Sequence, residues 1–204
     1  IQRAKELGMH SLAITDHGVM YGVIDFYKAC KKEGIKPILG CEVYTAPRTF
    51  KDKDPRQDSS QGHLILLAKD NAGYRNLMKL VSLGFTEGFY YKPRIDYSLL
   101  EQYHEGLIAL SACLGGDIPQ KLINRDFEGA TELALRMNEI MGEGNFYLEL
   151  QYNNLAEQKE VNAALIELSQ KTGIPLIATN DVHYINRSDA KSQEILMCIQ
   201  TGKT

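Results

Sequence analysis

Short apolar runs alternate with longer amphipathic runs along almost the whole chain of 204 residues. Most of the apolar runs are unbroken, which is typical of strands buried on both faces of a parallel sheet. The alternation therefore predicts an α/β fold with a parallel sheet, either doubly wound or closed into a barrel. Strands are predicted at 11–15, 37–44, 64–68, 107–111, 146–150 and 176–179, and helices at 22–33, 72–83, 127–141, 156–172 and 188–200.

The charge balance limits the classes of partner. The chain has 23 Lys and Arg against 26 Asp and Glu, a net charge of −3. Because nonspecific DNA affinity comes mainly from basic side chains on phosphates, a generally cationic nucleic-acid coat is excluded, whereas a local basic rim is not. No apolar run approaches the roughly 20 residues of a membrane helix, so we expect no membrane partner. Four widely spaced cysteines without a CxxC pair favour the reducing cytoplasm.

Side chains that can bind metal stand at the ends of several predicted strands. His17 follows the first strand, Glu42 lies late in the second, Cys113 follows the fourth, and Asp181 and His183 follow the last. In parallel α/β barrels the catalytic groups gather at the carboxyl ends of the strands. Imidazole, carboxylate and thiolate are ligands that zinc or manganese accepts. The sequence thus predicts one metal cluster at this edge of the sheet.

The alternative for each residue alone is an ordinary packing role. A single buried cysteine such as Cys113 is more often a core residue than a ligand. Glu42 is harder to explain by packing, because an unpaired buried carboxylate costs several kcal/mol or must change its pKa.

The spacing within two of the candidate motifs decides whether both of their side chains can bind the same metal cluster. Alternate residues of an extended segment point to one side, so Asp181 and His183 can reach the same cluster. Asp16 and His17 are adjacent and diverge. We therefore expect His17 to be a ligand and Asp16 to orient it through a hydrogen bond.

His63 makes a prediction about topology, because it opens its strand rather than closing it. To join the other ligands, the 64–68 strand must run antiparallel to the 37–44 strand. The connection between them, 47–61, is long and irregular. A loop of that length is usually functional or disordered, and the sequence leaves both readings open.

Aromatic and basic side chains are mixed in the segment Tyr90-Tyr91-Lys92-Pro93-Arg94. Such a segment can stack bases and hold phosphates. An ordinary solvated loop is the equally weighted alternative. Lys92 and Arg94 are the candidates for contacts with a nucleic-acid backbone.

Taken in order, these motifs resemble the PHP (polymerase and histidinol phosphatase) domain, especially the form found at the N-terminus of bacterial DNA polymerase III alpha subunits. The resemblance covers nearly the whole chain. Its motifs are Thr15-Asp16-His17, Gly40-Cys41-Glu42, the segments 63–68, 110–116 and 178–184, and the flanking segments 88–96 and 198–204.

The resemblance implies a distorted seven-stranded α/β barrel that holds up to three metal ions, zinc or alternatively manganese. It also implies an opening strand with a His-x-His motif that this chain lacks. We therefore expect residues 1–204 to be a PHP domain fragment without its first strand, weak or inactive as a nuclease by itself. The implied ligands are His17, Glu42, His63, Cys113, Asp181 and His183, with catalytic roles for Asp16, His17 and Asp181.

The function implied by the resemblance is metal-assisted 3′–5′ exonuclease hydrolysis within a DNA-directed DNA polymerase of DNA replication. Its partners would be primer-template DNA and other replicase subunits, with magnesium used by polymerase domains outside this chain. Two other readings stay open. One is a stand-alone phosphatase for a small phosphate monoester such as histidinol phosphate, and the other is a vestigial PHP module with a structural role.

Overall fold

A computed structural model describes residues 1–203 as a curled seven-stranded sheet with helices packed against it. All six predicted strands are present, with small shifts at their ends, and a seventh strand of two residues pairs with the second. The strands are β1 (Ser11–Ile14), β2 (Lys36–Thr45), β3 (Gly62–Ala68), β4 (Arg94–Ile95), β5 (Leu107–Leu110), β6 (Phe146–Gln151) and β7 (Leu176–Thr179).

The five predicted helices are also present. Three further helices of five to seven residues lie outside the predicted set, because each has two turns or fewer and so shows no clear amphipathic period. One of them begins where the Asp96 carboxylate accepts a hydrogen bond from the Leu99 backbone N–H. The helices are α1 (Gln2–Glu6), α2 (Val23–Glu33), α3 (Asn71–Thr86), α4 (Tyr97–Tyr103), α5 (Asp117–Ile123), α6 (Phe127–Met141), α7 (Ala156–Thr172) and α8 (Ala190–Thr201), with a 3-10 turn at Arg187–Asp189.

The sheet is mixed rather than wholly parallel. Its order is β1-β2-β3-β5-β6-β7, and β3 runs antiparallel to both of its neighbours, β2 and β5. The other pairings are parallel. The topology deduced from His63 is therefore confirmed: in the β2–β3 register, His63 lies opposite Tyr44 and Ile65 lies opposite Glu42.

The two faces of the sheet have different roles. Leu64 and Leu66 of β3 belong to a large apolar core that includes side chains of α3, α6 and α7. Ile65, between them, belongs to a much smaller cluster on the other face. Because strand side chains alternate between faces, His63 and Glu42 share the face of Ile65. The packing core thus holds one face of the sheet and leaves the opposite face for polar side chains.

The long connection 47–61 has neither helix nor strand, yet hydrogen bonds fix it. The Arg48 guanidinium donates to both carboxylate oxygens of Asp58, over 2.9 and 2.6 Å. Asp58 is buried despite its charge. The loop is therefore ordered, which argues against the hypothesis of a disordered connection.

The sheet is open at its ends. Among residues 1–203, β7 pairs only with β6 and β1 only with β2. Helix α8 follows β7 and has no buried residue, so the side chains of Leu196 and Ile199 are exposed. No helix in this range is both long and apolar enough to cross a membrane.

Candidate metal centre

Three of the predicted ligands converge at the rim of the sheet. Glu42 on β2, His63 on β3 and Cys113 after β5 each offer one ligand atom, and these atoms all lie within 4.8 Å of one another. His63 Nδ1 is 2.6 Å from Glu42 Oε1 and 3.5 Å from Cys113 Sγ. Oxygen, nitrogen and sulfur donors therefore face one common point.

Tight backbone packing fixes the positions of His63 and Cys113. The His63 N–H donates to the Gly115 carbonyl over 3.0 Å, and the Gly115 N–H donates to Cys113 Sγ over 3.4 Å. A Cβ on Gly115 would lie 2.9 Å from His63 Nδ1, so only glycine fits without displacing the imidazole. Ala112 has φ of 65°, a left-handed conformation at the turn that leads to Cys113.

His17 and Tyr44 lie beside this triad. His17 Nε2 is 3.5 Å from Glu42 Oε1, and its side chain is 46% exposed, so it reaches solvent. The Tyr44 ring stacks near His17, with centroids 6.4 Å apart, and meets His63 edge-on at 5.3 Å. Sequence reasoning missed Tyr44. Its position two residues after Glu42 on the same strand was the available signal, because such residues share a face.

The last two predicted ligands border the cluster on its exposed side. The His183 ring centroid is 5.8 Å from that of His17. Asp181 Oδ1 lies 3.5 Å from His183 Nδ1. These two side chains follow β7, so they approach the triad from the open end of the sheet.

Asp16 does not make the expected hydrogen bond to His17 in the described residues, while its catalytic role stays a prediction. Among residues 1–203, no hydrogen bond joins the Asp16 carboxylate to His17; the carboxylate nearest to that imidazole belongs to Glu42. What Asp16 contributes is its backbone carbonyl, which accepts from the Glu42 N–H over 3.0 Å. Adjacent side chains of an extended segment diverge, which explains why the two side chains share no hydrogen bond.

The site has an uneven charge distribution. Burial raises the pKa of Glu42, but the imidazoles of His17 and His63 outweigh it and bring that pKa to about 2. The Cys113 sulfur and then the Glu42 carboxylate raise the pKa of His63 to about 10. A carboxylate that is anionic at neutral pH thus sits at the centre of the donors.

The residues present fit a transition-metal ion. Glu42 Oε1 is buried and has no well-directed hydrogen bond in residues 1–203, although His63 Nδ1 is so close. When His63 gives up its proton, its Nδ1 and Glu42 Oε1 are two electron-pair donors close enough to share a cation. The thiolate and imidazole favour zinc over magnesium or calcium, which prefer oxygen donors alone.

Arg94 cannot contact a nucleic-acid backbone as predicted, because its side chain is fully buried. It donates to the backbone carbonyls of Gly88 (3.2 Å), Asp58 (3.1 Å) and Asp52 (2.7 Å). Lys92 is different. Its Nζ lies 5.5 Å from the centroid of the Tyr44 ring, next to the metal centre, so its predicted phosphate contact stays a prediction.

Glu149 on β6 is a buried acid that sequence reasoning also missed. It carries the same signal as Glu42, a carboxylate inside an apolar strand. Burial raises its pKa. It accepts hydrogen bonds from the Thr179 hydroxyl and, over 3.1 Å, from the Gln151 amide. Glu149 therefore links β6 to β7 just before the segment that carries Asp181.

Comparison with known proteins gives two kinds of sequence match. The model of the family described as "PHP domain" matches residues 1–153. DNA polymerase III subunit alpha of Borreliella burgdorferi is 48% identical over 203 residues, which is 99% of this chain and 18% of that protein. The Aquifex aeolicus subunit is 46% identical over 210 residues, 100% of this chain and 18% of that protein. The chain thus spans less than a fifth of the length of these curated relatives.

Solved structures match at the level of the fold. A candidate metal-dependent phosphoesterase from Bifidobacterium adolescentis has a TM-score of 0.53 at 15% identity, over 97% of this chain and 88% of that one. An amidohydrolase from Chromobacterium violaceum, solved with sulfate and no metal, has a TM-score of 0.56 at 13% identity, over 92% and 81%.

Proposed function

The chain belongs to the PHP domain family, and from this premise we propose that it is the metal-dependent phosphoesterase part of a replicative DNA polymerase, acting as a 3′–5′ exonuclease. It is homologous to a region of DNA polymerase III subunit alpha. In the proposal, residues 1–204 belong to the PHP domain, and polymerisation, with its magnesium, belongs to other parts of the parent. The parent works in the cytoplasm on primer-template DNA with other replicase subunits.

The observation that carries the proposal is the convergence of Glu42, His63 and Cys113 on one point. These three side chains would hold the first ion, zinc or alternatively manganese. When bound, such an ion supplies Lewis acidity, activating water near neutral pH and neutralising charge on a phosphate.

The remaining polar side chains of the rim complete the proposed site. His17, Asp181 and His183 extend the donor set toward solvent, where they would hold further ions close to the scissile phosphate. Asp16 is exposed and next to His17 in the chain, so its carboxylate is free to act on substrate or solvent. Lys92 would neutralise a neighbouring phosphate oxygen, since its ammonium lies beside Tyr44.

Metal binding is the first test, made by competition with a chromogenic chelator. We expect the chain to bind zinc, His63→Ala to lose most of that affinity, and His104→Ala to retain it, because His104 is the C-cap of α4 and is not among the converging donors. Equal zinc affinity in the wild type and His63→Ala would contradict the proposed centre.

Substrate choice is the second test, made on the full-length polymerase that contains this chain. We expect metal-dependent release of the terminal nucleotide from a 3′-mismatched primer, lost together with metal in His183→Ala. Hydrolysis of a small phosphate monoester but not of the primer would favour the stand-alone phosphatase reading. Full metal occupancy without hydrolysis of either substrate would favour the vestigial module.

A further inference from the structure

A tight turn at residues 90–92 displays an aromatic ring to solvent. The Tyr90 N–H donates to the Lys92 carbonyl over 3.0 Å, and Tyr91, between them, has φ of 58°. A bulky aromatic residue rarely adopts this left-handed conformation, which is strained for it. The Tyr91 side chain is 66% exposed, and its ring lies 4.5 Å from that of Tyr90 at an angle of 52°.

The buried Arg94 anchors this turn. Its guanidinium carbon lies 5.2 Å from the centroid of the Tyr90 ring, within the range of a cation–π contact. Arg94 is in turn fixed by the carbonyls of Gly88, Asp58 and Asp52. The Tyr90 ring is therefore held in place before any ligand arrives and supports the Tyr91 ring beside it, which lowers the entropy lost on binding.

The turn also borders the metal centre. A Cβ on Gly18, the residue after His17, would lie 2.8 Å from Pro93 Cγ and 3.0 Å from the Tyr44 ring, so Pro93, the residue that follows the turn, packs directly on the His17 segment. Lys92 lies over Tyr44, and Tyr44 meets His63 edge-on. If one phosphate of a nucleic-acid strand were bound at the metal centre, the neighbouring nucleotides of that strand would lie within reach of this turn.

We propose that the turn is a stacking platform for an unpaired base near the 3′ end of DNA, with Tyr91 contacting the base face and Lys92 an adjacent phosphate. This inference rests on the proposed function, since it names the form of DNA that the centre would receive. Base–aromatic stacking requires a free π-face, which an unpaired base offers and an intact duplex hides within its own stack. The platform would thus select frayed or mismatched ends by the state of the base rather than by sequence.

The test measures binding without metal or hydrolysis. A fluorescein-labelled oligothymidylate of about 12 nucleotides and a blunt hairpin duplex are titrated with the chain in chelator, and anisotropy is recorded. We expect the single strand to bind more tightly than the duplex. Tyr91→Asn, which suits the left-handed backbone, should weaken single-strand binding roughly 5- to 150-fold, and Tyr91→Phe should restore it.

A matched control and the salt dependence separate stacking from charge. Tyr27→Ala removes another exposed tyrosine that lies beside a lysine, Lys31, on helix α2, and should leave binding unchanged. Lys92→Gln should lower the slope of log affinity against log salt by about 0.7, whereas Tyr91→Asn should lower affinity at constant slope. Unchanged binding by Tyr91→Asn, or a duplex bound as tightly as the single strand, would overturn the inference.

Zinc affinity is the independent readout for the proposed function. Tyr91→Asn should bind zinc like the wild type, because Tyr91 is not among the converging donors, and oligothymidylate binding is recorded in chelator, without bound metal. Failure of the metal centre and failure of the platform are therefore seen in different measurements.

Discussion

The inner strands and the edge strand contribute to the same rim in different ways. Glu42 and His63 lie on β2 and β3, each paired on both sides, and Cys113 follows β5, which is also paired on both sides. Asp181 and His183 follow β7, which in residues 1–203 pairs only with β6. Glu42 is buried, whereas the His183 side chain is 42% exposed. The inner-strand side is therefore preorganised, and the edge-strand side is the adaptable part of the site.

This difference has a consequence for ion binding. A preorganised donor set binds with little loss of side-chain entropy, so the inner-strand side should define the first ion. The edge-strand donors have fewer neighbours to hold them, and they should contribute more to later ions and to substrate entry.

The largest expected effect is at Arg94 on the short strand β4, which pairs with the inner strand β2. Arg94→Met removes the donor from several buried carbonyls, and we expect it to lower the free energy of unfolding by about 4 kcal/mol. Urea denaturation measures the change. Arg136→Met is the control, because its guanidinium is about half exposed in a pair with Glu101 and should be worth less than about 1 kcal/mol. Equal losses of unfolding free energy in the two variants would contradict the proposed difference between the buried Arg94 and the half-exposed Arg136.

The next effect is a pH dependence of the chelator-treated chain. The native pKa of His63 is about 10 against 6.5 as its ordinary value, so the protonated imidazole stabilises the fold. This stabilisation is fully present below pH 6.5 and is lost as the pH rises toward 10. We expect it to be on the order of 3 kcal/mol, from urea denaturation across that interval.

The control for this prediction is His63→Gln. In this variant the free energy of unfolding should not show the decline between pH 6.5 and 10 that His63 causes. Added zinc should also flatten it, because a ligand imidazole must be unprotonated. The same decline in His63→Gln and the wild type would assign the titration to another group.

A smaller effect concerns the glycine beside the imidazole. Gly115→Ala places a methyl group against His63 without removing a ligand, and we expect zinc affinity to fall about 10- to 100-fold. Chelator competition measures it. Gly84→Ala on α3 is the control. Its Cβ would make ordinary contacts at 3.4 Å with the backbone of Pro93 and Arg94. Wild-type zinc affinity in Gly115→Ala would mean that the imidazole position tolerates displacement.

The smallest effect is expected beyond the edge strand. Ile199→Gln on α8 replaces a side chain that is 73% exposed, so the free energy of unfolding of this chain should change by less than about 0.5 kcal/mol. Leu66→Ala on β3, fully buried, should cost about 3 kcal/mol in the same urea experiment. Comparable losses would show that α8 is packed as firmly as the inner strands.

Much of the fold follows from local patterns. Apolar runs and amphipathic spacing gave all six predicted strands and all five predicted helices, because burial of a repeating face depends on neighbours in the chain. The charged Glu42 in an apolar strand pointed to the site, and His63 at a strand start pointed to the reversal of β3. In each case a single residue conflicted with its local pattern, and the conflict was informative.

Other features depended on partners that are distant in sequence. Arg94 looks like a phosphate ligand in the chain, yet one of its guanidinium nitrogens donates to the carbonyl of Asp58, 36 residues away. Asp16 next to His17 looks like its support, yet Glu42 lies closer to that imidazole. Tyr44 and Glu149 each carried a local signal, but their contacts with His63 and Thr179 come from neighbouring strands.

The sequence by itself determined which side chains can bind metal and on which strand ends they stand, because side-chain chemistry and strand period are local properties. Only the tertiary structure decided which of them share one point and which arginine is buried. Those outcomes are set by strand register and by loop carbonyls that need a donor, and both exist only after distant segments have packed together.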